Sequence, residues 1–598
     1  MDPFAAEYLS EVVSMMATSW LLRADEIAEK LGKDKIDDEV LRRVRNNTYV
    51  LVPPRQGDVP VWSKEKQQAK KVLMRDYAEP LFTDVKTKSG LRSTVVPLES
   101  FQLQDFMGAG VGVGDVNGDG YADVFLAGHG KGRFYENQGS KKGARFIESS
   151  KKWGLPDLTQ TRSALFFDYE GDGDLDLLVV RDTPPSYLFE NTGSSFSDIT
   201  QASKIQTRRG AHSAAILDFD GDGDLDIYIG YYGSGKHHLN PVRNVRNVPS
   251  MDGRNGSPNQ LWQRGSDGSY AEVAKSVGVA DVGWTLAVGV FDSDLDGDDD
   301  LYLANDFGAN QFYENRGKGK FVETTGTAGV GDRGSGMNVD VTDVNGDGRW
   351  DFYVTNIDMF HKSIKVVFPE DSSTVSLDES LVRGFQYLSG NKLYVSNLDD
   401  SKYRSEEHNR FEPGDRGWGW DAAFIDVDND GDDDMYLTNG WVPQSYASDQ
   451  KNQLFINDGG QFFLTSGRAP ESFAGNSRSI GLADFDRDGA VDLLVANFQE
   501  PSRLLINRGK KNKWLRLRLQ GTKQNPFAVG ARITVKAGDA SVLRQRQIGR
   551  GYLGQAEAPI TIGLGKSTQA DVEVTWPGGA TSRHEGLSAG TEHRLTHP

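Results

Sequence analysis

The 598-residue sequence predicts an all-β fold: a seven-bladed β-propeller with a short N-terminal helical extension and a small C-terminal β-sandwich or barrel. Three observations carry the prediction. An Asp-rich nonapeptide recurs seven times, at intervals of 50 to 83 residues. Each copy leads into an apolar run of strand character and then a tight turn such as "RFYENQG" or "QFYENRG". Beyond the last copy, the chain alternates apolar and polar residues with period two and has no such loop. A repeat of this length supplies about four short strands, which is one propeller blade.

Residues 1–78 form the expected extension. Leu9, Val12, Val13, Met16 and Trp20 share one face of a helical run over 8–45, and Ile36, Val40, Leu41 and Val44 make a second stripe. A cap on the propeller or its first blade explains these stripes better than a partner-binding or membrane-surface helix, because the polar face is acidic as well as basic and gives anionic lipid little to attract. Residues 79–510 hold the seven repeats, with insertions at about 231–260 and 359–415 in the two longest intervals. Aromatic-acidic segments at Phe82, Phe146, Phe196, Tyr270 and Phe321 stand upstream of five loops. Residues 511–598 form the last module, where "LRLRLQG", "ARITVKAG" and "DVEVTW" read as strands. Its Arg516, Arg518, Lys523, Arg532, Lys536, Arg544, Arg546 and Arg550 face an acidic neighbour, and docking onto it explains them better than capture of an anionic glycan.

The loops carry the chemistry. In "DVNGDGYAD", Asp115, Asn117, Asp119 and Asp123 offer side-chain oxygens at positions 1, 3, 5 and 9, Tyr121 offers its carbonyl at position 7, and a Gly at position 6 permits the turn. The second loop repeats the pattern with Asp168, Glu170, Asp172, Asp174 and Asp176, and the third with Asp218, Asp220, Asp222, Asp224 and Asp226. The fourth uses Asp292, Asp294, Asp296, Asp298 and Asp300, and the fifth Asp343, Asn345, Asp347, Arg349 and Asp351. Asp426, Asp428, Asp430, Asp432 and Asp434 make the sixth, and Asp484, Asp486, Asp488, Ala490 and Asp492 the seventh. Hard oxygen donors at this density suit Ca²⁺, up to seven ions, better than Mg²⁺ or Zn²⁺. An EF-hand would end on a bidentate Glu at position 12. Here that position is Leu126, Val179, Ile229, Leu303, Val354, Leu437 or Val495, so each loop feeds a strand instead of a helix.

The formal net charge of −19 argues against nucleic-acid binding, and seven divalent cations would cancel most of it. With no cysteine, disulfides and thiolate sites are excluded. No stretch approaches the length of a membrane-spanning helix. No Walker loop or kinase motif set occurs. The expected function is therefore that of an extracellular or periplasmic calcium-binding interaction or adhesion protein with a protein or glycan partner. The alternative is a propeller-based cyclase or lyase with its site on the loop face or in an axial pocket. The N-terminus "MDPFAAEYLSEVVSMM" has acids where a secretory leader has Lys or Arg, so export implies a leader not read here. Residues at the strand exits opposite the loops suggest a recognition surface, with Tyr231, Asp306 and Trp441 as binding residues and Asn305, Asn356, Asn439 and Asn497 as hairpin caps.

The seven loops resemble FG-GAP/VCBS repeats, the calcium-binding blades also found in integrin α-chains. "WLRLRLQGTKQNPFAVGARITV", "IGRGYLGQ" and "VEVTWPGG" resemble an ASPIC/UnbV domain, with a departure from that pattern at Pro526 and Phe527. The pairing, with "WGWDAAFIDVDNDGDDDMYLTNGW" and "LANDFGANQFYEN", is similar to the cartilage acidic protein family and its bacterial relatives. The resemblance implies an extracellular, calcium-dependent interaction protein.

Overall fold

The structure is a computed structural model that describes residues 50–52, 63–73, 77, 79–92, 107–139, 144–233, 253–306, 308–358, 365–367, 390–397, 402–412, 416–440, 450–465, 470–509, 512–538 and 540–598. The expected helical run over 8–45 and Trp441 lie outside these residues.

Seven antiparallel sheets follow one another along the chain, six of four strands and one of five. Their first strands are Val111–Gly114, Thr161–Phe167, Ala211–Leu217, Thr285–Phe291, Asn338–Thr342, Gly417–Ile425 and Ser477–Ala483. Each touches the first strand of the next sheet, and the seventh touches the first, so the ring closes into a β-propeller. Apolar side chains from adjacent sheets fill the space between them. Between the fourth and fifth sheets, for example, Phe291, Tyr302, Phe312, Phe352 and Tyr394 pack together, with Tyr302 and Phe352 ring centroids 4.7 Å apart. Aromatic and aliphatic residues pointing off both faces of each sheet are what this stacking demands.

The aromatic-acidic segments are fourth strands. Phe146–Glu148, Phe196–Asp198, Tyr270–Glu272 and Phe321–Glu323 each complete the sheet preceding the loop they stand upstream of. Phe82–Asp84 has no preceding sheet, so it crosses the chain and pairs with Arg503–Asn507 of the seventh, Phe82 opposite Asn507. Hydrogen bonds between the two ends of the repeat array thereby lock the ring.

The C-terminal module is a sandwich. One sheet contains Ile560–Gly565, Lys513–Gln520 and Glu592–Thr596, and the other Ala540–Gln545, Arg532–Ala537, Gln569–Thr575 and Thr581–Ser588. Leu515, Leu517, Ile533, Val535, Val572 and Trp576 form its core. From it residues 547–557 enter the propeller axis and bond to the first strand of every sheet. Gln555 serves the first two, accepting from Val113 N–H at 3.1 Å and Phe166 N–H at 3.0 Å and donating to Phe166 O at 2.7 Å. Ile548 O accepts from Ile216 N–H, and Gln547 donates to Val290 O. Arg550 pairs with Asp340, Tyr552 N–H donates to Asp421, and Gln555 O accepts from Leu482 N–H. At the tip, Tyr552 and Leu553 are buried among Met107, Tyr232, Trp284 and Trp420. The axial pocket allowed for in the enzymatic alternative is filled by this segment.

Candidate metal centres

All seven Asp loops share one hydrogen-bond pattern. The position-1 carboxylate accepts the N–H of the position-6 Gly, from 2.7 Å at Asp343 to 3.1 Å at Asp292. The position-5 carboxylate accepts the N–H of position 7, as Asp119 does from Tyr121 at 2.9 Å and Asp488 from Ala490 at 3.2 Å. The Gly at position 6 has φ between 82° and 106°, a region that a residue with a Cβ enters only under strain. Position 4 is also left-handed in every copy, and Leu295, Asn429 and Arg487 take it without being glycine.

The position-9 Asp does two jobs. Asp123, Asp176, Asp226, Asp300, Asp351, Asp434 and Asp492 are all buried, and one oxygen of each accepts the N–H of position 2. The other accepts an N–H from the third strand, as from Asn137 and Asn507 at 2.8 Å. This aspartate therefore folds the loop as well as offering metal ligands. Third-strand asparagines extend the connection. Asn137, Asn191, Asn315, Asn457 and Asn507 each donate to the position-8 carbonyl of their own loop and to the position-2 carbonyl of another, as Asn191 does to Leu175 O and Val116 O. Sequence reading took these residues as plain turn formers. Their recurrence one or two residues after a short apolar run was the only trace of the role.

The loops fit a cation. Three carboxylates bring oxygens within 4.8 Å of one another at Asp168/Glu170/Asp176, Asp218/Asp220/Asp226, Asp292/Asp294/Asp296, Asp426/Asp428/Asp434 and Asp484/Asp486/Asp488. Ligands at about 2.3–2.6 Å from one Ca²⁺ span this separation. The first and fifth loops place Asn117 and Asn345 at position 3, with amide oxygens in place of a carboxylate. Buried loop oxygens without a hydrogen-bond partner point the same way: Asp115 Oδ1, Glu170 Oε2, Asp174 Oδ1, Asp220 Oδ1, Asp292 Oδ1, Asp432 Oδ1 and Asp486 Oδ1. An acceptor-only group left this way costs stability unless a cation takes it. Burial, with neighbouring carboxylates adding to it, pushes Asp218 up to about 7, Asp123 and Asp351 up to about 8 and Asp432 up to about 9.

The loop face is covered by the C-terminal sandwich, and Arg516, Arg532, Arg544 and Arg550 dock there as expected, whereas Arg518 pairs with Glu592 of the sandwich itself. Arg516 Nη1 lies 3.1 Å from Asp484 Oδ2, Arg532 pairs with Asp292, and Arg544 Nη2 lies 2.6 Å from Asp433. In the seventh loop Arg508 Nη1 sits 2.9 Å from Asp486 and 3.0 Å from Asp488, within the ligand cluster itself.

The opposite rim differs from the expectation. Tyr231 is fully buried in the core between the second and third sheets, where its hydroxyl contacts Gln260 and accepts from Arg208 N–H. Asp306 is also buried and accepts the Tyr232 hydroxyl at 2.7 Å. Stacking of neighbouring blades encloses both, so they are scaffold and not an exposed recognition surface. Asn305, Asn356, Asn439 and Asn497 do cap their hairpins, donating to Ala309, Gly390, Lys451 and Pro501 carbonyls.

Comparison with known proteins matches the FG-GAP-like repeat at residues 115–179, 168–229 and 292–354, and the ASPIC and UnbV family at 521–598. Cartilage acidic protein 1 of Mus musculus is 27% identical over 293 residues, 47% of this chain and 40% of the mouse protein. The matched stretch thus spans well under half of that relative. The Xenopus tropicalis protein of the same name is 24% identical over 535 residues, 84% of this chain and 74% of its own. Among solved structures, BBS1N in complex with ARL6DN aligns at TM-score 0.37 and 9% identity, covering 71% of this chain and 97% of that one.

Proposed function

From a chain that carries FG-GAP-like repeats and an ASPIC and UnbV domain and is homologous to cartilage acidic protein 1, we propose an extracellular or periplasmic interaction protein whose propeller is held by calcium. The carrying observation is the set of buried, unpartnered carboxylate oxygens that recurs in six of the seven loops. Calcium would be held by the side chains at positions 1, 3, 5 and 9 and the carbonyl at position 7. Its contribution is charge neutralisation: without it three or four carboxylates crowd each turn. Lacking the bidentate Glu, such loops bind in the micromolar to millimolar range, which extracellular calcium fills and resting cytosol does not. Among the described residues no helix is long and apolar enough to cross a membrane. A protein or glycan partner is the class this role implies. The test is capture of partners from an extracellular extract and a glycan array, each with millimolar calcium and again with chelator. Calcium-dependent capture supports the reading, and identical profiles in both conditions contradict it.

A further inference from the structure

We propose that the seam between the propeller and the C-terminal sandwich holds a binding site for a small oxyanion, with Arg546 and Arg550 as its donors. A cavity of about 160 Å³ opens there, lined by side chains of both domains. At about 30 Å³ per water it has room for a tetrahedral oxyanion with a water or two.

The acids in its wall are already committed. Asp340 accepts from Phe424 N–H at 2.8 Å and pairs with Arg550. Asp433 binds Arg544 and the Thr342 hydroxyl. Glu557 binds Arg516 at 2.5 Å and accepts Asp484 N–H at 2.8 Å. Asp426 belongs to the sixth loop cluster. Individual donors on the wall nonetheless lack acceptors. Arg546 is 4% exposed and has no ion pair among the described residues; its Nη1 donates to Gln547 O at 2.7 Å, while its Nε–H is buried without an acceptor. Arg550 Nη1 and Thr561 Oγ1, also on the cavity wall, are likewise buried without partners. Burial outweighs the attraction of Glu557 and pushes Arg546 down to about 10, the mark of a guanidinium held charged at a cost. A planar fork with free N–H groups beside a polar cavity is built to take a carboxylate or phosphate.

The experiment is equilibrium dialysis of the full chain against radiolabelled phosphate in calcium at fixed ionic strength, with acetate and chloride as competitors. One phosphate should bind per chain, insensitive to equimolar chloride; displacement by acetate would assign the site to carboxylates and retention to phosphate-like anions. Arg546→Gln should weaken binding by at least about tenfold. In phosphate-free buffer it should melt no lower than wild type, because it removes a buried charge that makes no direct ion pair and whose burial outweighs the attraction of Glu557. Thr561→Val should weaken binding in a folded protein. Absence of saturable binding of either anion to the wild type, unchanged binding in Arg546→Gln, or a lower melting temperature for that variant without phosphate would overturn the assignment.

Discussion

Replacing Gln555 by Ala should destabilise the whole molecule, although the residue lies in a C-terminal segment without regular structure. Gln555 is 1% exposed, and its side chain makes three hydrogen bonds to the first strands of the first two sheets. Truncation leaves the N–H groups of Val113 and Phe166 and the carbonyl of Phe166 buried and unpaired. At about 1–3 kcal/mol for each orphaned group, with partial relaxation, the expected loss is about 3–6 kcal/mol. Urea unfolding in saturating calcium measures it, followed by Trp fluorescence and circular dichroism. Trp514 and Trp576 report on the sandwich and Trp153 and Trp284 on the propeller. Because residues 547–557 bond to all seven first strands, both sets should unfold in one transition, shifted together in the variant. A loss below about 1 kcal/mol, or separate transitions for the two domains, would refute the axial segment as part of the core.

The remaining predictions concern the loops and the rim. In chelator the melting temperature should fall between pH 5 and pH 8, because Asp218, Asp123 and Asp351 titrate in the fold near 7 to 8, far above an unfolded carboxylate; the stability of their protonated forms is present at low pH and lost as pH rises through those values. The gap between calcium and chelator melts should therefore widen toward pH 8, and a gap independent of pH would contradict this. Arg508→Gln removes a cation from the seventh loop cluster and should tighten one calcium site several-fold by titration calorimetry, whereas an unchanged isotherm would show that the arginine does not compete. Asp218→Ala deletes a carboxylate that accepts from Gly221, Asp222 and Gly223 N–H groups, so it should reproduce part of the chelator effect in a thermal melt. Tyr231→Ala should cost about 3–5 kcal/mol by urea titration, as for a large buried aromatic, and a near-wild-type midpoint would return that residue to the surface.

The loops were legible because their spacing is chemical: a turn needing Gly at position 6 and oxygens two residues apart can be read without knowing what surrounds it. The strands followed from apolar runs bounded by turns. What periodicity does not encode is which sheet a strand joins, so Phe82, Phe146 and Phe196 read as the start of a repeat when each ends one. Burial at Tyr231 and Asp306 was hidden for a related reason. An aromatic or acid at a strand exit looks the same whether solvent or the next blade lies beside it. The axial segment "IGRGYLGQ" has neither period two nor period 3.6. Its partners are strand N–H and carbonyl groups and the Asp340 and Asp421 carboxylates turned toward the ring axis, and their direction exists only once the ring has closed.

The claim that calcium occupies the blade loops is tested most directly by counting bound metal. The full chain is dialysed against millimolar calcium and magnesium together, and its metal content is measured by mass spectrometry beside variants carrying Asp→Asn at position 1 of a single loop, Asp168→Asn, Asp218→Asn or Asp426→Asn. The account predicts several calcium ions per chain, up to seven, little magnesium, and about one calcium fewer in each variant. A chain that retains no calcium, or a count unchanged by all three substitutions, would contradict it.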